Sequence, residues 1–141
     1  MRLFVDTGPL LAAVLPRDPD HDAAVAILRR ATEGAWTSVH TSDFVLAEAL
    51  NFIRMKVKRA ETAEALVTLA FGSDKFPPLF QSVSRVHSAR FAVALDHYQK
   101  EFGRGLSLTD WTSVVIAQDE GLDEIATFDD GFRALLRVVD G

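Results

Sequence analysis

The stretch Leu3-Phe4-Val5-Asp6-Thr7-Gly8-Pro9-Leu10-Leu11 decides the fold. An apolar run of strand formers stops at one carboxylate. Thr7, Gly8 and Pro9 then lead directly into a helix-like apolar stretch, with Pro9 early in the helix, where its missing N–H costs no hydrogen bond. A strand that ends on an acid and turns at once into a helix sets that acid on the rim of a sheet. In open α/β sheets, ligands bind outside the carboxyl ends of the strands.

The same alternation continues along the chain. Strands are expected over 3–6, 36–41, 82–86, 124–128 and 136–139. Helices are expected over 8–15, 21–32, 44–58, 61–71, 88–102 and 107–120, with a short turn over 132–135. Asp20 is placed to cap the second helix. Ser107 and Asp110 have the capping-box spacing, a hydroxyl followed three residues later by an acid. Strands alternating with helices predict a mainly parallel sheet of about five strands, sandwiched as α/β/α. Leu3, Val5, Val39, Val83, Ile125 and Ala126 are its expected buried strand positions, and Trp36 and Trp111 belong to the core.

Composition narrows the function. A chain of 141 residues, 48% hydrophobic, suits one domain over 1–141. With no cysteine, disulfides, thiolate nucleophiles and thiolate zinc sites are excluded. Met1-Arg2 runs straight into a strand and lacks a secretory leader pattern. No apolar run approaches the ~18–20 residues of a membrane helix. A soluble cytoplasmic protein, without a membrane partner, is expected. The four histidines lack metal-ligand spacing and read as surface or structural. The net charge of −5 argues, in bulk, against a nucleic-acid partner.

Four acids stand out among the 20. Asp6 ends the most apolar strand. Glu48 lies one helical turn after Phe44 and one before Phe52, a charge set among apolar side chains. Asp110 is in register with Val114 and Ala117. Asp129 directly follows the fourth strand, with Asp130 competing for its place. Each has a plain structural reading: Asp6 as a turn residue, Glu48 as the partner of a basic side chain, Asp110 as a capping acid, Asp129 as an N-cap. None of these readings explains why all four should reach one sheet edge.

Carboxylates converging without Cys or His suit a hard, oxygen-preferring cation, Mg²⁺ or Mn²⁺. Such cations serve phosphate chemistry. They also resolve the charge paradox, since an acidic metal pocket leaves room for a basic substrate surface. Arg17, Arg54, Lys58 and Arg104 are the candidate contacts to a substrate's phosphate backbone, with Lys56 and Arg59 beside them; simple solubilising charge is the competing reading.

Phe4-Val5-Asp6-Thr7, Val45-Leu46-Ala47-Glu48, Leu106-Ser107-Leu108-Thr109-Asp110 and Ala126-Thr127-Phe128-Asp129-Asp130-Gly131-Phe132 together resemble the PIN-domain nucleases, and VapC-like toxins of toxin–antitoxin pairs most closely. The similarity spans essentially the whole chain in order and spacing. No single motif is specific; the ordered set of four acids is. The resemblance implies a metal-dependent endoribonuclease, commonly a homodimer, silenced by a cognate antitoxin. Asp6, Glu48, Asp110 and Asp129 match the family's catalytic and metal-binding acids, and Thr7 and Thr127 its supporting hydroxyls.

Two other enzyme classes fit worse. Asp6-Thr7-Gly8 is also the aspartic-protease signature, but that fold is nearly all β and this chain is dominated by helical periodicity. An Asp-nucleophile phosphatase carries a second acid where Gly8 stands. A non-catalytic PIN-like scaffold that binds RNA or protein is the remaining alternative.

Overall fold

The computed structural model describes all residues, Met1–Gly141. Its sheet has five strands, β1 (Arg2–Val5), β2 (Ser38–Ser42), β3 (Ser82–Ser84), β4 (Glu124–Ala126) and β5 (Arg137–Val139), in the order β3-β2-β1-β4-β5. Every pairing is parallel. The helices are α1 (Thr7–Val14), α2 (His21–Thr32), α3 (Asp43–Phe52), α4 (Ala60–Phe71), α5 (Ser88–Lys100) and α6 (Leu108–Glu120). The expected α/β sandwich is borne out, and the all-β aspartic-protease fold is excluded.

Parallel sheets of this kind are covered on both faces, and β1 shows it directly. Leu3, Phe4 and Val5 are consecutive, so they point to alternating faces, yet all three are fully buried. Helix α1 packs on α2, α3 and α4, while α6 packs on α5 and α3. Phe4, Ile27, Leu66, Trp111, Ile116 and Ile125 belong to one continuous apolar cluster. Truncating Phe4 to Ala in such a core costs about 3–5 kcal/mol. No helix is long and apolar enough to cross a membrane.

The chain runs from β1 outward to β3 on one side and then returns to build β4 and β5 on the other. The direction of winding therefore reverses between β1 and β4. At such a switch point the two following helices diverge and leave a crevice at the carboxyl ends of the strands. Asp6 immediately follows β1, and Thr127 immediately follows β4.

Several local expectations need correction. The helix expected over 44–58 is regular only to Phe52. Ile53–Val57 forms a π turn, closed by the Lys58 N–H donating to the Ile53 carbonyl at 2.7 Å. Lys58 is left-handed at φ 60°. No glycine or proline marks the change, which is why helical periodicity ran through it. Asp20 makes no side-chain cap on α2; its N–H is instead held by Asp18 Oδ1 at 2.8 Å. Val83 is half-buried rather than buried, because β3 is an edge strand.

Candidate active site

Asp6 occupies the N-cap position of α1 but does not cap it: its side chain accepts no bond from the helix's first amides. The backbone holds the residue instead, with the Asp6 N–H donating to the Ala126 carbonyl at 3.0 Å. The residue is only 5% exposed. Its Oδ2 accepts the Thr127 hydroxyl at 2.8 Å. Its Oδ1 is buried without any hydrogen-bond donor, and so is the neighbouring Thr7 Oγ1. Buried polar atoms are normally satisfied, so two adjacent orphans mark a place that expects a ligand.

Thr127 ties two strand ends together. While donating to Asp6, its hydroxyl oxygen accepts the Asp129 N–H at 3.1 Å. Asp129 then spends Oδ1 on the Gly131 N–H at 2.8 Å, capping a short 3₁₀ turn. A side chain at Gly131 would crowd that same Oδ1 at 3.0 Å and Leu106 at 2.8 Å, so glycine keeps the turn open.

Asp110 forms the capping box read from sequence: its Oδ2 accepts the Ser107 N–H at 2.8 Å, and Ser107 Oγ accepts the Asp110 N–H at 3.1 Å. Glu48 arrives from α3, whose start is fixed by Ser42 Oγ accepting the Val45 N–H at 3.1 Å. Glu48 is exposed. That corrects the expectation of a charge embedded among apolar side chains: Phe52, one turn on, is itself 43% exposed, so this face of α3 looks outward.

All four acids line one open cleft of about 400 Å³, with Thr7, Gly8, Leu11, Ser107, Thr127 and Phe128. Asp130, the competitor for the fourth position, is not among them; it is exposed and pairs with Arg133 at 2.8 Å. Asp110 and Asp129 are thus both turn caps and cleft residues. Each uses one oxygen to cap a turn and leaves the other free.

Electrostatics bears the crowding out. Burial pushes the Asp6 carboxyl up to about 7, against the pull of the nearby Thr7 amide, whose geometry falls short of a hydrogen bond, and of the Thr127 hydroxyl, and the charges of Asp110 and Glu48 push it further. Asp110 is also raised, first by burial, with Asp129 and Glu48 adding to it against its Ser107 hydrogen bonds. No Lys, Arg or His lines the cleft to offset these charges.

A metal fits the donor set, which is all oxygen and includes the orphaned Asp6 Oδ1. The carboxylates are not drawn in to a closed cluster: no three of them meet the spacing of a formed metal site. Mg²⁺ tolerates a loose set because it keeps several waters.

Sequence reasoning passed over Ser107 as a cleft residue, although it had recognised Ser107 as a cap. The proposed basic contacts lie outside the cleft. Arg104 is tied to Glu101 at 2.9 Å. Arg17, Arg54 and Lys58 lie beyond α1 and at the end of α3. The largest cavity, about 850 Å³ between α2, α4 and residues 76–81, is lined without a single ionisable side chain and offers no chemistry.

Comparison with known proteins agrees with this fold. The chain resembles VapC20 of Mycobacterium tuberculosis, a sarcin-ricin loop cleaving toxin, with TM-score 0.78 and 23% identity over 99% of both chains. It resembles VapBC2 of Rickettsia felis, bound to a DNA fragment from their promoter, with TM-score 0.67 and 14% identity over 99% of this chain and 98% of that one. FitAcB of Neisseria gonorrhoeae follows with TM-score 0.63 and 20% identity, covering 96% and 95%. No curated protein sequence matches. The model of the PIN domain matches residues 3–137, nearly the whole chain, and the protein therefore belongs to the PIN domain family.

Proposed function

We propose that this chain is a metal-dependent endoribonuclease that hydrolyses RNA phosphodiester bonds with Asp6, Glu48, Asp110 and Asp129. The observation that carries the reading is Asp6 Oδ1: a buried carboxylate oxygen without a donor, in a cleft with three more acids and no base. A buried unpaired charge is costly, and a divalent cation is what such a site can gain most from.

A bound Mg²⁺ or Mn²⁺ supplies positive charge that acidifies water and stabilises the negative charge growing on a phosphate. The protein's own part is placement. Asp6, fixed at the rigid end of β1 and by Thr127, is the central ligand. Glu48, Asp110 and the free oxygen of Asp129 surround it from three other elements. Thr127 orients Asp6, and Thr7 offers its unpartnered hydroxyl beside it. No histidine enters the cleft, so proton handling falls to water and carboxylates. Cleavage of single-stranded RNA in Mg²⁺ or Mn²⁺, abolished by EDTA and by Asp6→Asn, is the deciding test. Cleavage that persists in EDTA, or in the Asn variant at the parent's rate, overturns the mechanism.

The reading extends to assembly. The resemblance to VapC-like toxins, and the likeness in fold to VapBC2 and FitAcB, support a cytoplasmic toxin held inactive by a small antitoxin. Uncompensated acid in the cleft would attract a basic antitoxin side chain. Val67 and Phe71 on α4, and Phe91, Val93 and Leu95 on α5, are exposed apolar side chains that support a homodimer. Light scattering without antitoxin tests this, and a monomeric mass at micromolar concentration refutes it.

A further inference from the structure

Residues 54–59 read Arg-Met-Lys-Val-Lys-Arg, four cations in six residues with no acid, on a chain whose net charge is −5. All four are exposed, as is Arg17. Arg17, Arg54, Lys56 and Lys58 enter no salt bridge. Arg59 meets only Glu61, at 3.6 Å and with both side chains in solvent, a pairing worth little. These charges are therefore free for a partner.

Their placement is not scattered. The π turn and the left-handed Lys58 bend the chain so that Arg54, Lys58 and Arg59 line one cavity between the ends of α3 and α4. Arg59 also lines a second groove, with Arg17 and Thr62, so the two lie side by side at that residue. π turns inside helices are frequent at functional sites.

Helix α1 connects this basic groove to the acidic cleft. Leu11 lines the cleft, and Leu15, just past the end of α1, lines the groove. Residues four apart lie on one helix face and rise about 6 Å. Leu15 itself is extended and ends the helix, so the groove opens about one turn of α1 away from the cleft.

We infer that the groove formed by Arg17, Arg59 and Thr62, with Arg54 and Lys58 beside it, is the track along which the RNA backbone leaves the carboxylate cleft. This rests on the nuclease reading and deepens it, assigning to one side of the cleft the phosphates that flank the cleaved bond. Arg104, tied to Glu101 and absent from both grooves, is not part of it. The separation also lets acid and base coexist: carboxylates gather a cation at the cleft while guanidiniums hold phosphates a turn away.

The test compares the full chain with R17Q/R59Q and with R17K/R59K on a fluorescein-labelled 12-nucleotide single-stranded RNA, across a range of salt. Each phosphate contact removed lowers the salt slope of log affinity by about 0.7 and weakens binding about threefold. R17Q/R59Q should therefore raise KM about tenfold with kcat unchanged. R17K/R59K should restore KM, and the thermal shift caused by Mg²⁺ should be the same in all three. An unchanged KM and salt slope in R17Q/R59Q, while the parent cleaves, overturns the track and leaves the nuclease standing. A loss of the Mg²⁺ shift would place the damage in the cleft and also overturn it. If the parent neither binds nor cleaves this RNA or longer transcripts, both readings fall together.

Discussion

The amino-end rim of β1 and β4 and the cleft at their carboxyl ends treat charge in opposite ways, although Arg133 pairs with Asp130 and Asp140 just outside that cleft. At the amino ends of the strands, acids and bases answer one another. The Arg2 N–H donates to Asp123 Oδ2 at 2.7 Å, and its guanidinium reaches the Ser38 hydroxyl at 3.4 Å and the Glu120 carbonyl. Arg90 pairs with Asp119 at 3.0 Å and with Glu120 at 3.2 Å. At the carboxyl ends, Asp6, Glu48, Asp110 and Asp129 share a cleft and enter no salt bridge. Matched charges hold elements together; unmatched charges, kept close by backbone and hydroxyl scaffolding, are poised for a ligand. The comparison teaches that carboxylate count says little, and that the partners each carboxylate lacks say much.

The sharpest way to break the contrast is Asp6→Asn. A catalytic cation contributes several kcal/mol of transition-state stabilisation, so losing its central ligand should slow RNA cleavage about 10³-fold. Stability should move the other way. The folded Asp6 carboxyl sits at about 7 against an ordinary 3.8, so between those values the folded chain keeps a proton that the unfolded chain has released. The parent's stability therefore falls as pH rises through that window and stays low above it. The Asn variant escapes the loss. Without metal and above about pH 7 it should melt higher, by several degrees at about 4 °C per kcal/mol. Saturating Mg²⁺ should close the gap by stabilising the parent alone. A variant that melts with the parent in EDTA and still cleaves would make the two sheet ends equivalent.

Thr127→Val probes the scaffold rather than the ligand. It deletes the hydroxyl that donates to Asp6 and receives the Asp129 N–H. Loss of such a supporting bond weakens metal binding about 10–100-fold. Titrating Mg²⁺ against cleavage should show the midpoint rising by that factor, with kcat largely recovered at saturation. A fall in kcat alone would place Thr127 in the chemistry and not in the support of Asp6.

What sequence could show of this contrast follows its physics. Period-two and period-3.6 patterns depend on burial, so all five strands and six helices were legible, down to the capping box of Ser107 and Asp110. The acids were legible as a set because strand ends and helix starts must meet at one rim. Glu48 was misjudged because flanking aromatics do not reveal that a helix face looks outward. The π turn was invisible because no residue type marks where i→i+5 bonding replaces i→i+4. The matched rim went unread altogether: Arg2, Ser38, Arg90 and Glu120 come from distant, unremarkable positions that only the register of β1 with β2 and β4 brings together.

Glu120→Ala is the converse test, at the matched rim. Glu120 is half-buried and forms an ion pair with Arg90 at 3.2 Å, and a partly exposed pair of this kind contributes about 1 kcal/mol. The variant should lose that much in denaturant melts while its Mg²⁺-dependent cleavage stays at the parent's level. Loss of cleavage without loss of stability would reverse the roles assigned to the two ends.

The smallest effect belongs to His40, and its sign is the opposite of Asp6's. The ring is buried, with Nε2 at 2.7 Å from Ser38 Oγ. Its Nδ1 has no hydrogen bond and lies 3.9 Å from Glu120 Oε1, a distance that helps only a protonated ring. Burial lowers its pKa below the ordinary 6.5, the Arg2 charge lowers it further, and Glu120 opposes both. The unfolded chain therefore takes up a proton near 6.5 that the folded chain resists, so this contribution is whole above that pH and is lost as pH falls. Asp6 adds stability over the same fall, which masks the effect in the parent. The Asp110 carboxyl, also raised, adds to that mask; in an Asp6→Asn/Asp110→Asn background the mask is gone, and stability should decline from about pH 7 to about pH 5. Adding His40→Gln should flatten that decline. A slope that survives the second substitution would assign the acid sensitivity to another group and leave the matched rim without a titrating member.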